Sequence, residues 1–234
     1  MKTLSAMLAT VFLAVTLFAV ATPSAHASDD VYDPFETFNR KVQKFNDAGD
    51  KYVISPAARA YRKVTPSLFR AGVRNFLSNL AYPVTIVNQF LQGKVRLGMQ
   101  DTGRFLLNTT AGIGGLVDVA STVGLEHHDE DFGQTFATWG VPRGPYIVLP
   151  IWGGVSLREG IGDIPDTLVY PPTHFATQTE SVVLGVLWAL SRRDELTGAE
   201  QLVTGDRYLF IRDAYLQQRD YLIADGEIDD PFLD

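Results

Sequence analysis

Apolar residues in this chain recur at the period of a helix and almost never at the period of a strand, and glycine or proline cuts each run short. Phe35, Phe38, Val42 and Phe45 follow one another at steps of three and four. Val73, Phe76, Leu77, Leu80, Val84, Val87, Phe90 and Leu91 extend the same spacing over a much longer stripe. This patterning predicts an all-α fold of short amphipathic helices. Asp33-Pro34 reads as a helix start. Pro56 opens a second helix that Thr65-Pro66 ends. Pro83 falls inside the long stripe and predicts a kink or a break there. Gly93 reads as a stop, and a further helix is expected from about Lys94 to Asn108.

The remaining segments are punctuated more heavily. Residues 111–125 carry four glycines, Gly112, Gly114 and Gly115 among them, which permits close backbone approach in a helix–helix contact or against lipid. Gly140–Gly154 holds three prolines and four glycines, with Pro145, Tyr146 and Pro150 inside it, and is expected to be a loop or small hairpin. Pro165 to Pro172 reads as irregular. Glu180–Leu190 is apolar on nearly every side and about half a bilayer span long, so it reads as a core helix or one dipped into an interface. Asp206 is an N-cap candidate for a closing helix that runs to Ala224. No internal repeat is present.

Residues 1–27 have the features of a cleavable signal peptide. Lys2 supplies the positive end, Leu4 to Ala21 is apolar apart from Ser and Thr, and Ala25-His26-Ala27 follows Pro23 as a cleavage site. The expected mature chain is a single exported domain, 28–234. The 234 residues contain 20 basic and 27 acidic side chains and a formal charge of −7. Such a balance argues against a protein that must neutralise nucleic-acid phosphates. With no cysteine, disulfides, thiolate metal sites and a cysteine nucleophile are excluded.

Catalytic constellations are scarce. His127, His128 and Asp129 lie in the run Glu126–Asp131, which has every oxygen and nitrogen ligand type a metal could use. Adjacent side chains point in different directions, however, and ligands usually come at i, i+2 or i, i+4. A solvated acidic loop is the expected reading. Gly154-Val155-Ser156-Leu157-Arg158 lacks the second glycine of a nucleophile elbow. Gly112-Ile113-Gly114-Gly115 has neither dinucleotide-binding spacing nor a P-loop lysine. No residue set predicts a cofactor, and none argues for an enzyme. Short apolar helices with Trp139, Tyr146, Trp152 and Trp188 in or beside them instead suit a protein lying partly in one leaflet. As the chain is not basic overall, its apolar faces would have to supply the attachment; an ordinary core face is the competing reading of the long stripe.

The segments Asp33-Pro34-Phe35-Glu36-Thr37-Phe38-Asn39-Arg40, Asn75–Leu80, Val87–Gly93, Arg104–Thr109, Gly112–Ala120, Asp131–Thr135, Gly144–Pro150 and Arg212–Tyr215 together resemble the MlaA (VacJ) family, in order and over about 33–224. The resemblance implies a ring of helices in the inner leaflet of the outer membrane, on its periplasmic face. It encloses an amphipathic channel that takes mislocalised outer-leaflet phospholipid toward a soluble periplasmic carrier of the MlaC type. It further implies association with trimeric porins and no enzymatic activity. Asn39 and Arg40 are then expected to cap helix ends and lock the N-terminal segment to the ring. Gly112, Gly114 and Gly115 would allow tight packing around the lumen, and the Gly140–Gly154 loop, with Pro145, Tyr146 and Pro150, would be a lid or hinge beside the channel, or else a rigid turn.

One departure stands out. Many members of that family are lipoproteins, and this chain has no lipobox cysteine. Retention at the membrane would rest on apolar faces and a porin. Two other readings remain open: a structural or virulence-related envelope protein that binds porins without moving lipid, and a periplasmic hydrolase that uses the His127–Asp131 cluster.

Overall fold

A computed structural model describes residues 33–198 and 203–226; the expected signal peptide lies outside them. Helix α1 (Glu36–Gly49) runs through a π-helical turn (Asp50–Ile54) into α2 (Ser55–Val64). Asp33 and Pro34 form the turn before α1 rather than its first residues. Thr65 is extended before Pro66, as steric pressure from a following proline requires. Then α3 (Ser67–Leu91) and α4 (Val95–Thr110) fold back on one another across Gly93, whose φ of +79° is the left-handed geometry of a helix stop. A short α5 (Val119–Thr122) and α6 (Phe132–Thr138) lead to a two-stranded antiparallel hairpin, β1 (Tyr146–Leu149) and β2 (Gly153–Ser156), with Tyr146 opposite Ser156. Helices α7 (Leu157–Val169), α8 (Pro172–Phe175), α9 (Gln178–Glu195) and α10 (Arg207–Ile223) complete the described chain. The fold is mostly helical, with one small hairpin in the Gly140–Gly154 region.

Three expectations need correction. Of the kink or break expected at Pro83, the break is absent: α3 continues from Ser67 to Leu91. Side-chain bonds to α4 hold the turns before it: Asn79 Nδ2 donates to Thr109 Oγ1 at 2.9 Å and Tyr82 OH to Asp101 Oδ1 at 3.2 Å. Pro165 likewise sits inside α7, so the stretch that begins there is helical to Val169, and only a short break separates it from α8. The core alternative for Glu180–Leu190 fails: α9 leaves Val182, Val183, Val186 and Trp188 exposed. Its start is as firm as sequence chemistry allows, with a reciprocal capping box between Thr177 and Glu180.

The distribution of polarity is inverted. Among the described residues, ten apolar side chains are buried against eighteen polar or charged ones. Large apolar side chains lie exposed along α1, α3, α7 and α9 and at the hairpin tip. Buried polar groups are costly unless paired, and here most are. Asn88 Oδ1 accepts from Thr135 Oγ1 at 2.6 Å, and Asn88 Nδ2 reaches Asp166 at 3.2 Å. Buried Glu130 accepts from Gln92 and Lys94. No helix among the described residues is long and apolar enough to cross a membrane.

Candidate functional site

The sequence candidates fall into two places. Asn39, Arg40, Pro145, Tyr146 and Pro150 gather where the hairpin meets α1 and α10. Gly112, Gly114 and Gly115 lie with the histidine pair over α3 and α4.

At the hairpin, Asn39 is fully buried and does not cap a helix. Its Nδ2 donates to the Tyr146 carbonyl at 3.0 Å and to Asp33 Oδ1 at 3.1 Å, and its Oδ1 accepts from the Val148 amide at 2.8 Å. One side-chain amide thus satisfies a carbonyl and an amide of β1, as a neighbouring strand would. Asn46 repeats the arrangement two turns later, donating to the Leu149 carbonyl at 2.9 Å and accepting from the Ile151 amide at 2.8 Å. Arg40 pairs with Glu36 at 2.7 Å and with Asp206 at 2.8 Å, and lies 4.6 Å over the Tyr208 ring. Asp206 is the N-cap of α10, accepting from the Tyr208 and Leu209 amides. These contacts tie α1 to the hairpin and to α10.

Below the hairpin, Tyr146 and Val148 pack with Tyr208 and Leu216 in the main apolar cluster. Burial pushes the Tyr146 phenol up to about 12, so it stays neutral. A Cβ at Gly154 would stand 1.8 Å from the Tyr146 hydroxyl, so only glycine fits beneath that ring. At the neck, the Pro145 carbonyl accepts from the Leu157 amide at 3.0 Å. At the tip, Pro150 lies over an open apolar groove that Val42 and Phe45 line with Lys41. Ile151 and Trp152 stand 81% and 83% exposed, with Ile151 in the left-handed region at φ +72°.

The glycine-rich segment, which links α4 to α5, closes onto α3 and α4. A Cβ at Gly112 would meet the Val117 carbonyl oxygen at 2.2 Å, and one at Gly115 would meet the Asn79 side chain at 2.4 Å. Gly114, at φ +69°, has nothing near it. Asp118 fixes the loop by accepting from Arg104 at 2.6 Å, from Asn108 at 3.0 Å and from both donors of Ser121. Burial opposes its ionisation, but the bonds from Ser121 and Asn108 and the charge of Arg104 bring its pKa to about 2.

The acidic run is not a solvated loop throughout. His128 Nδ1 sits 2.9 Å from buried Asp101, while His127 meets Ser78 Oγ at 3.1 Å and the edge of Tyr82. Glu130 is buried, and Asp131 caps α6 and pairs bidentately with Arg219. Asp129 is exposed. Among the described residues, no group of three His, Cys, Asp or Glu is placed to hold a metal ion. The two histidines diverge, as their adjacency demands.

The sequence assigns no site role to Asn46 or to the buried set Asn88, Thr135 and Asp166. Only Asn46 left a signal, its seven-residue spacing from Asn39.

Residues 31–222 match the MlaA lipoprotein family. The chain belongs to that family. It is 36% identical over 222 residues to the intermembrane phospholipid transport system lipoprotein MlaA of Escherichia coli strain K12, covering 92% of this chain and 88% of that one. The protein of the same name from Haemophilus influenzae is 33% identical over 202 residues, covering 84% and 81%. An uncharacterized Rickettsia prowazekii protein, RP093, is 42% identical over 151 residues, covering 64% and 60%. A solved structure described as the structural basis for maintenance of bacterial outer membrane lipid asymmetry superposes with a TM-score of 0.75 at 38% identity, over 82% of this chain and 98% of that one.

Proposed function

We propose that this chain is a non-enzymatic phospholipid transporter of the outer membrane. It removes mislocalised phospholipid from the outer leaflet through an amphipathic path toward a soluble periplasmic carrier, and so maintains lipid asymmetry. The observation that carries the reading is the inverted polarity: apolar side chains outside, paired polar side chains inside, and no spanning helix among the described residues. A body of that kind is suited to lie within one leaflet, where an apolar belt meets acyl chains and polar groups meet headgroups. Each tail CH₂ exposed to water costs about 0.8 kcal/mol, so a two-chain lipid needs a sheltered route out of a bilayer. The named relatives act in intermembrane phospholipid transport, which supports the same reading.

On this proposal residues 1–27 export the protein to the periplasmic face of the outer membrane. With no cysteine in the chain, its apolar faces and a trimeric porin hold it there. The hairpin, clipped by Asn39 and tied through Arg40, is the movable element beside the lipid path. Outer-leaflet phospholipid measured in a deletion strain tests the function. A rise on deletion, reversed by the wild-type gene, is expected. No rise would favour a porin-bound structural role.

A further inference from the structure

Charge along this acidic chain is segregated. From Lys51 to Gln100 there are eight basic residues and no acidic one. The acids that close this region come from the far end of α9. Asp194, buried, takes both Arg62 at 2.5 Å and Arg70 at 2.7 Å, and Glu195 takes Arg74 at 3.4 Å. One carboxylate shared by two guanidiniums leaves the junction of α2 and α3 with surplus positive charge. Arg59 and Lys63, four residues apart on one face of α2, are exposed and have no ion pair among the described residues. Between the two helices, Val64, Leu68 and Phe69 stand 77%, 79% and 68% exposed. On the turn leading into α2, Lys51 lies 5.3 Å from the ring of exposed Tyr52.

We infer that the junction of α2 and α3 is a docking surface for anionic phospholipid headgroups. Cations alone would serve any polyanion. Cations that flank bare Val64, Leu68 and Phe69 fit a surface offering phosphate and acyl chain side by side. The inference rests on the membrane seat proposed above and adds a chemical preference and a place: this corner, rather than the net charge, confers selectivity for acidic lipid. Each basic side chain near an anionic leaflet strengthens binding about fivefold, through a field that fades within a Debye length.

Full-length protein is titrated with vesicles of phosphatidylcholine alone and of phosphatidylcholine containing phosphatidylglycerol, at low and high salt. The wild type is expected to favour the phosphatidylglycerol vesicles and to lose the preference as salt rises. Arg59→Gln/Lys63→Gln is expected to weaken binding to those vesicles roughly twenty-five-fold and to leave binding to neutral vesicles unchanged. Lys44→Gln/Arg96→Gln removes equal charge from exposed sites on α1 and α4 and is expected to behave as wild type. Wild-type affinity in the first variant, or an equal loss in the second, would overturn the docking surface and leave the membrane seat standing. Failure of the wild type to bind either vesicle would overturn both.

Discussion

Asn39 and Asn46 lie seven residues apart on α1, and each closes a two-bond clip on the backbone between Tyr146 and Ile151. The clips differ in burial, Asn39 being fully enclosed and Asn46 partly open. Removing Asn39 strands a buried carbonyl and a buried amide, each costing about 1–3 kcal/mol. Asn39→Ala is therefore expected to lose about 2–6 kcal/mol, and Asn46→Ala, whose partners can turn to solvent, about 1 kcal/mol. Urea unfolding of the two variants in detergent checks the order. Equal losses would contradict it.

In a folded, normally abundant Asn39 variant, outer-leaflet phospholipid should rise if the clip sets the resting position of the hairpin. Wild-type asymmetry in that variant would remove Asn39 from any gating role.

The glycines of residues 112–115 should not respond alike. Gly112→Ala and Gly115→Ala drive a methyl into a carbonyl oxygen and into Asn79 respectively, and both are expected to abolish or severely reduce the folded yield. Gly114→Ala meets open space at φ +69° and should lose about 1–2 kcal/mol from backbone strain. Thermal melts of the three variants rank them.

Much of this fold was legible before any coordinates. The helix stop at Gly93, the boundary at Thr65-Pro66, the cap at Asp206 and the hairpin option for Gly140–Gly154 all follow from residues that dictate their own backbone. The errors fall where distant packing decides. Of the kink or break expected at Pro83, the break is absent, because contacts of Asn79 and Tyr82 with α4 that cannot be seen locally hold the helix there. Glu126–Asp131 reads as solvated because its partners Lys94, Asp101 and Arg219 come from α4 with its N-cap and from α10, outside the run itself. At Asn39 the expected helix cap gives way to bonds with the Tyr146 carbonyl and the Val148 amide, more than a hundred residues away, which no local pattern can signal.

Asp166 predicts a pH effect. Burial, with Asp131 and Asp163 adding to it, pushes its carboxyl up to about 7 from an ordinary value of 3.8. Between those values the unfolded chain has released a proton that the folded chain retains. Stability from this group is thus full below about pH 4 and lost as pH rises through 7. Asp166→Asn keeps an oxygen for Asn88 and Phe132 and should flatten that part of the profile, equalling or exceeding wild type at pH 8. Melting temperatures across the range check it, and a parallel decline in the variant would refute it.

Trp152 should report the seat of the hairpin tip. In a variant retaining it as the sole tryptophan, emission is expected to shift to the blue on adding vesicles and to be quenched by brominated acyl chains. Unchanged emission would place the tip in water.

The clips also settle a hazard inherent in a sheet of two strands. Such a sheet has an outer rim on each side, and an unclaimed rim invites strands from other molecules. By spending an asparagine on the Tyr146 carbonyl and the Val148 amide, α1 leaves that side of β1 with less to offer a neighbour. For a protein whose exterior is already adhesive, this blunted rim guards against fibrous self-association while leaving Ile151 and Trp152 at the tip uncovered.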